Sequence, residues 1–176
     1  MSEYRIYKPR KDKVTGEFKG AASALQVVDK EKERNGFKYK ETMVFLTITP
    51  QKGEVDGNAQ FDWVSEKNPS GKQIIMCLGD PDIGELLAVL NGVKKKVGQP
   101  GGKGLYHETS ETSNSALQFE YVKNQKPEQF DDGYMLTVSK KNADGLLKVS
   151  HSLSLAEGEI VKVILTDAIR RKYWVN

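Results

Sequence analysis

The chain has 176 residues, 38% hydrophobic and 29% charged, a size and balance that suit one folded domain with a large exposed surface and no need of metal or disulfide staples. One cysteine, Cys77, and two histidines, His107 and His151, exclude an internal disulfide and are too few for a usual zinc site; no run approaches the ~20 apolar residues of a membrane span. With 27 basic and 24 acidic residues the net charge is +3, so the distribution of charge matters more than its sum.

Residues 1–14 are polar and basic and contain Pro9; they read as an N-terminal arm or edge strand ahead of a domain over 15–176. The start, Met1-Ser2-Glu3-Tyr4-Arg5, lacks the apolar core of a secretory signal, and the lone thiol fits a reducing compartment, so cytoplasmic residence is expected. Strands are predicted at about Ala21–Val28 and at Thr42–Thr49, the latter rich in β-branched residues and stopped by Pro50. A charged hairpin region lies between them and ends in the turn pair Asn35-Gly36. Gln51 to Asn58, with Gly53 and Gly57, reads as a loop, Ala59–Val64 as a short strand and Lys72–Leu78 as a longer one in which Cys77 is expected to be buried.

A helix follows. Asp80 is placed as N-cap and Pro81 at the first helical position, with Ile83, Leu86, Leu87 and Leu90 as one apolar stripe and Asn91-Gly92 as the stop. Beyond a Gly-rich linker at Gly98–Gly104, strands are predicted at about Leu105–His107, Ala116–Lys123, Tyr134–Lys140 and Leu146–Leu153, with turns at Gln125–Gly133 and Asn142–Gly145. The second helix opens on the capping box Ser154-Leu155-Ala156-Glu157, is expected to bury Ile160, Val163, Ile164 and Ala168, and ends in Arg170, Arg171 and Lys172, cations that suit a helix C-terminus.

Each half is therefore strands and then a helix, an α+β pattern of duplicated ββββα units. Two short echoes agree with duplication: Ala24-Leu25-Gln26 recurs as Ala116-Leu117-Gln118, and Gly84-Glu85 as Gly158-Glu159.

Catalytic motifs are missing. There is no Gly-x-Ser-x-Gly, and Gly101-Gly102-Lys103-Gly104 lacks the Ser or Thr that a phosphate loop carries after its lysine. His107-Glu108 has no second histidine at metal-ligand spacing, Asp131-Asp132-Gly133 is a turn signal, and His151 alternates with Val149 and Leu153 as a core or rim histidine would. No cofactor and no metal are expected.

Basic residues form three runs: Lys8, Arg10, Lys11 and Lys13; Lys94, Lys95, Lys96 and Lys103; and Arg170, Arg171 and Lys172. Each taken alone reads more readily as a solvated face than as a binding site. Aromatic residues stand beside lysines on predicted strands, at Phe18-Lys19, Phe37-Lys38-Tyr39-Lys40, Phe61-Asp62-Trp63, Lys103 with Tyr106, and Phe119, Tyr121 and Lys123. Bases stack on such rings while lysines follow phosphates, without sequence readout. Phe45 and Phe61 are assigned to the core; Tyr39, Trp63, Tyr106 and Tyr121 suit core or surface equally.

Several of these motifs in order resemble the Whirly family of single-stranded DNA-binding proteins. Phe18-Lys19-Gly20-Ala21-Ala22-Ser23-Ala24-Leu25 resembles that family's Lys-Gly-Lys-Ala-Ala-Leu segment, with Ala21 in place of the second lysine. Phe61-Asp62-Trp63, Lys72-Gln73 and Asp82-Ile83-Gly84-Glu85-Leu86-Leu87 resemble its Tyr-Asp-Trp, Lys-Gln and Glu-Ile-Gly-x-Leu run; Leu105-Tyr106-His107-Glu108 resembles its Phe-x-His-Asp segment, and Lys172-Tyr173 falls at the close of its second helix. The resemblance, over residues 18 to 173, is that of a remote prokaryotic or viral relative. It implies two antiparallel four-stranded sheets packed crosswise with two helices, a homotetramer held by the helices, and single-stranded DNA laid along sheet edges between protomers. Related folds in a transcriptional coactivator and in guide-RNA-binding proteins keep RNA open.

The expected function is a non-catalytic, sequence-tolerant single-stranded DNA binder that protects or organises strands in replication, recombination or repair. The alternatives are an RNA binder or transcription cofactor of the same fold, or a protein-interaction scaffold. The expected contact residues are Lys19, Lys38, Tyr39, Trp63, Lys72, Lys103, Tyr106 and Tyr121.

Overall fold

The computed structural model describes residues 2–102, 104–110, 113–125 and 131–173. The first half runs β1 (Ser2–Lys8), β2 (Ala21–Arg34), β3 (Phe37–Val55), β4 (Asn58–Phe61), β5 (Ile74–Leu78) and α1 (Asp80–Leu90). The second runs β6 (Leu105–Ser110), β7 (Ser113–Val122), β8 (Gly133–Asn142), β9 (Gly145–Ser154) and α2 (Leu155–Tyr173).

Both sheets are antiparallel, ordered β1-β2-β3-β4 with β5 also on β3, and β6-β7-β8-β9. The fourth place of the first sheet is thus shared: β3 is long enough to pair with β5 along its middle and with β4 near its end. Residues 51–58, expected as a loop, are strand and hairpin instead. Asp56 and Gly57 both have positive φ, 50° and 77°, the turn geometry whose twist matches the strands it joins. Asn35-Gly36 closes β2 onto β3 in the same way, with φ of 53° and 80°.

The duplication is visible in the register. Tyr4, Leu25, Leu46 and Met76 form one cross-strand row of the first sheet, and Leu105, Leu117, Val138 and Val149 form the matching row of the second. These rows face each other in a single core that also takes in both helices. β9 packs against both β2 and β3, and β8 against β5, so the sheets cross.

α1 buries Ile83, Leu86, Val89 and Leu90. Its N-cap is Gly79 rather than Asp80, because the Asp82 carboxylate accepts from the Gly79 N–H at 2.8 Å and does the capping from inside the first turn. Asp80 is thereby free to accept from Lys172 Nζ at 2.5 Å and from the Tyr173 hydroxyl, so the end of α2 closes on the start of α1. The capping box of α2 forms as expected: Ser154 N–H donates to Glu157 at 2.7 Å and Glu157 N–H to Ser154 Oγ at 3.2 Å. Lys8 of β1 adds an ion pair to the same glutamate at 2.7 Å.

The apolar face of α2 is rotated from the expected one. Leu165 and Ala168 are buried and Val161, Ile164 and Ile169 pack on the core, whereas Ile160 and Val163 are 43% and 65% exposed. Gly158 sets this rotation, since it seats α2 directly on the ring of Tyr134. Cys77 is exposed, contrary to expectation, because it alternates with the buried Met76 and Leu78. His151 is a satisfied core residue, its Nε2 2.8 Å from Ser23 Oγ and its Nδ1 3.1 Å from the Ser152 carbonyl. Among the described residues no helix is long and apolar enough to cross a membrane.

Candidate nucleic-acid interface

Because side chains alternate along a strand, the row next to each core row points away from it. In the first sheet these outward rows are Glu3–Gln26–Phe45–Cys77, Arg5–Ala24–Thr47–Ile75 and Tyr7–Ala22–Thr49. Phe45 is therefore half-buried on the outer face and does not belong to the core as expected. Ala22 and Ala24 form a floor of small residues, flanked by the exposed Arg5 and Tyr7 of β1.

The end of β4 and the segment 62–73 that follows it reach the β1 edge of this face, at Tyr7 and Arg5. The Phe61 ring, also assigned to the core by its sequence, sits 5.5 Å from that of Tyr7 on the outer face instead. The Arg5 guanidinium stands 5.5 Å from the centre of the Trp63 ring, a cation–π pair. Asp62 holds the segment in place. Its carboxylate accepts from Asn68 Nδ2 at 2.9 Å and from the Lys72 N–H at 3.0 Å. Burial raises the pKa of Asp62, but these two hydrogen bonds outweigh it and leave the carboxyl below its usual range. Gly71 is required here, since a Cβ would stand 2.7 Å from the Trp63 carbonyl.

Arg5 is kept charged by its neighbours: it donates to Glu3 at 2.7 Å and to the Tyr7 hydroxyl at 3.4 Å, which raise its pKa. Glu3, Arg5 and Tyr7 occupy alternate positions of one strand. The segment expected as an arm or edge strand is thus the edge strand β1, and its period-two alternation is the sequence signal for the outward positions of Arg5 and Tyr7.

The expected contact residues fall in several places. Trp63 and Lys72 are brought together on the Asp62 segment. Lys19 lies in the connection between β1 and β2, where it is paired with Asp12 at 2.8 Å. Tyr106 is 59% exposed on the outer face of the second sheet, in the row Tyr106–Ala116–Ser139–Lys148 that matches the row of Arg5. Tyr121 is on the other side of that sheet. It packs on the core, edge-on to Tyr134 with ring centres 5.9 Å apart, and gives its proton to Asp132 at 2.5 Å, so it offers no free ring face on the outer surface. Lys38 and Tyr39 are adjacent in β3 and so point to opposite faces. Lys103 lies outside the described residues.

The basic runs separate likewise. At the end of α2, Lys172 is bound to Asp80 and Arg171 to Asp167 at 2.7 Å and to Asp29 at 3.6 Å, so this run mostly closes the fold. Near the start of the chain, Lys8 and Lys19 are paired, while Arg10, Lys11 and Lys13 have no ion pair among the described residues. Lys11 stands 5.1 Å above the Phe18 ring. A groove of about 410 Å³ runs here between Tyr7 of β1 with Arg10 and Lys19 of the β1–β2 connection on one side and Met135, Ser150 and Ser152 of the second sheet on the other.

What results is an outer face of rings, guanidinium and lysines beside small residues. It has no set of converging nucleophile and base, and among the described residues no three His, Cys, Asp or Glu side chains gather as metal ligands. Such a face suits flat π systems and phosphates more than a reacting carbonyl.

No protein-family model and no curated protein matches the sequence. Solved structures do match the fold. WHY3 from Arabidopsis thaliana superposes with a TM-score of 0.67 at 16% identity, over 99% of this chain and 89% of that one. The plant transcriptional regulator PBF-2 gives 0.64 at 16% identity, over 97% and 81%. A guide-RNA-binding protein complex bound to a guide RNA gives 0.57 at 13% identity, over 99% and 94%. With two crossed antiparallel sheets, two helices and this set of structural neighbours, the chain has a Whirly-like fold.

Proposed function

We propose that the chain binds single-stranded DNA with little sequence preference and without catalysis, protecting or organising exposed strands in replication, recombination or repair. The observation that carries this reading is the outer face of the first sheet, where Arg5 pairs with Trp63 and Tyr7 with Phe61 along the β1 edge. Ring faces accept any base, and the surrounding cations supply a salt-dependent attraction to phosphate. Tyr106 with Lys148 offers a smaller version on the second sheet.

RNA is the second reading, supported by the likeness to the guide-RNA-bound complex. Transcriptional cofactor activity is the reading that the likeness to PBF-2 supports. We further propose a homotetramer through the helices, since α2 leaves Ile160 and Val163 exposed.

Binding to labelled single strands of DNA and RNA and to duplex, across about 50 to 200 mM salt, tests the reading. Tight, salt-sensitive binding to single strands over duplex is expected. No binding at low salt would remove the proposal, and a monomer by light scattering at micromolar concentration would remove the tetramer.

A further inference from the structure

The β2–β3 hairpin extends well past the sheet that carries it. In the second sheet the β7–β8 register ends at the pair Val122–Gly133, whose equivalent in the first is Lys30–Glu41. The first half continues through Glu31–Lys40, Lys32–Tyr39 and Glu33–Lys38 to Arg34–Phe37. Every residue from Asp29 to Lys40 is exposed, so this ribbon adds nothing to the core and the duplicated scaffold does not require it.

Its two faces differ. Alternation puts Lys30, Lys32, Arg34, Phe37 and Tyr39 on one face with a single acid, Glu41, in continuation of the outer row of Gln26 and Phe45. The other face carries Asp29, Glu31 and Glu33 with Lys38 and Lys40, and turns toward the helices, where Asp29 pairs with Arg171 at 3.6 Å. On the first face Lys32 is paired with Glu41, while Lys30 and Arg34 have no ion pair among the described residues. Phe37 and Tyr39 are 78% and 45% exposed and make no ring contact among the described residues. On the sheet proper, by contrast, Trp63 and Phe61 already have ring or guanidinium partners.

We infer that the Lys30–Arg34–Phe37–Tyr39 face of the ribbon is a second contact surface for single-stranded nucleic acid, which takes the strand where it leaves the sheet and supplies much of the salt dependence. This rests on the proposed function and adds the division of labour within it: bound rings on the sheet, free rings and free cations on the ribbon. Exposed rings favour unpaired bases over duplex, whose ring faces are already stacked.

The test uses the full chain and oligothymidylates of increasing length. Lys30→Gln with Arg34→Gln is expected to lower the slope of log affinity against log salt by about 1.4, at about 0.7 per phosphate contact on a single strand. Lys38→Gln with Lys40→Gln, on the opposite face, is expected to change it less than half as much. Phe37→Ala with Tyr39→Ala is expected to weaken binding of long oligomers about 30-fold or more at unchanged slope. Replacing residues 30–41 by Asn-Gly, which joins the paired Asp29 and Thr42 through a two-residue turn, is expected to abolish the gain in affinity with length and leave short oligomers bound.

Equal slope changes from the two lysine–arginine faces, or ribbon variants that bind every length as the parent does, overturn the inference while the proposed function stands. Ribbon variants that lose affinity only for a duplex flank overturn it too. A parent chain that fails to bind single strands overturns both.

Discussion

Behind the core, the first half presents Arg5, Ala24, Thr47 and Ile75 in one row, and the second presents Tyr106, Ala116, Ser139 and Lys148 at the matching positions. The inner rows Tyr4–Leu25–Leu46–Met76 and Leu105–Leu117–Val138–Val149 are alike in chemistry and close-packed, whereas the outer rows share the alanine and a small hydroxyl residue and differ at both edges. Packing constrains a residue through every neighbour it touches, whereas an outward residue is constrained by what it meets in solution. Divergence between the halves is therefore concentrated where binding would occur, and the first half, with its Asp62 segment and its ribbon, has acquired more of it.

The comparison is sharpest in the core, where the halves should respond alike. Leu25→Ala and Leu117→Ala remove equivalent buried side chains, and each should cost about 2–5 kcal/mol in urea unfolding. A cost in only one would break the equivalence. On the outer face the halves should differ: Trp63→Ala should weaken single-strand binding by about 1–3 kcal/mol, and Tyr106→Ala by less, measured by fluorescence anisotropy. The reverse order would move the principal site to the second sheet.

The paired glycines separate two meanings of one sequence echo. Gly158→Ala would bring a Cβ to 2.4 Å from the Tyr134 ring and should destabilise by about 1–3 kcal/mol. Gly84→Ala meets nothing within 4 Å in mid-helix and should stabilise by about 1 kcal/mol in thermal melts.

The smallest effect belongs to the bond between the halves, His151 to Ser23. Burial lowers the pKa of His151 below its ordinary 6.5, so the fold prefers the neutral ring. Its contribution is complete above the unfolded value and is lost as pH falls below about 6.5 through the lower folded value. Glu157 and Asp80, the carboxylates of the other bonds between the halves, have pKa values below the usual range and stay ionised as pH falls through 6.5. Ser23→Ala should cost about 1 kcal/mol, and His151→Gln should flatten the fall in stability below about pH 6.5.

The elements legible in the sequence are those with local causes. The Asn35-Gly36 turn, the Ser154–Glu157 cap and the α1 stripe each depend on residues within a few positions of one another. What was not legible depends on distant partners. The ribbon's alternation of Lys30, Glu31, Lys32, Glu33 and Arg34 carries no apolar face, so nothing local distinguishes a strand from a charged loop. The rotation of α2 depends on Gly158 meeting Tyr134, and the exposure of Cys77 on which side of β5 meets α1. Of the site, Trp63 and Lys72 were readable as motif residues, but Arg5 and Tyr7 gained meaning only when β1 was laid beside β2 and the Asp62 segment reached the β1 edge.

The contacts of Asp80 with Lys172 and Tyr173, and of Lys8 with Glu157, join positions 92, 93 and 149 residues apart. On a chain made from its N-terminus, the whole first sheet and α1 leave the ribosome before any partner for these groups exists. The first half thus waits with an uncovered apolar face until the second sheet, and after it the last helix, is synthesised. Its folding should be slow and late, and its basic, ring-bearing outer surface should be complete only once the second half has docked.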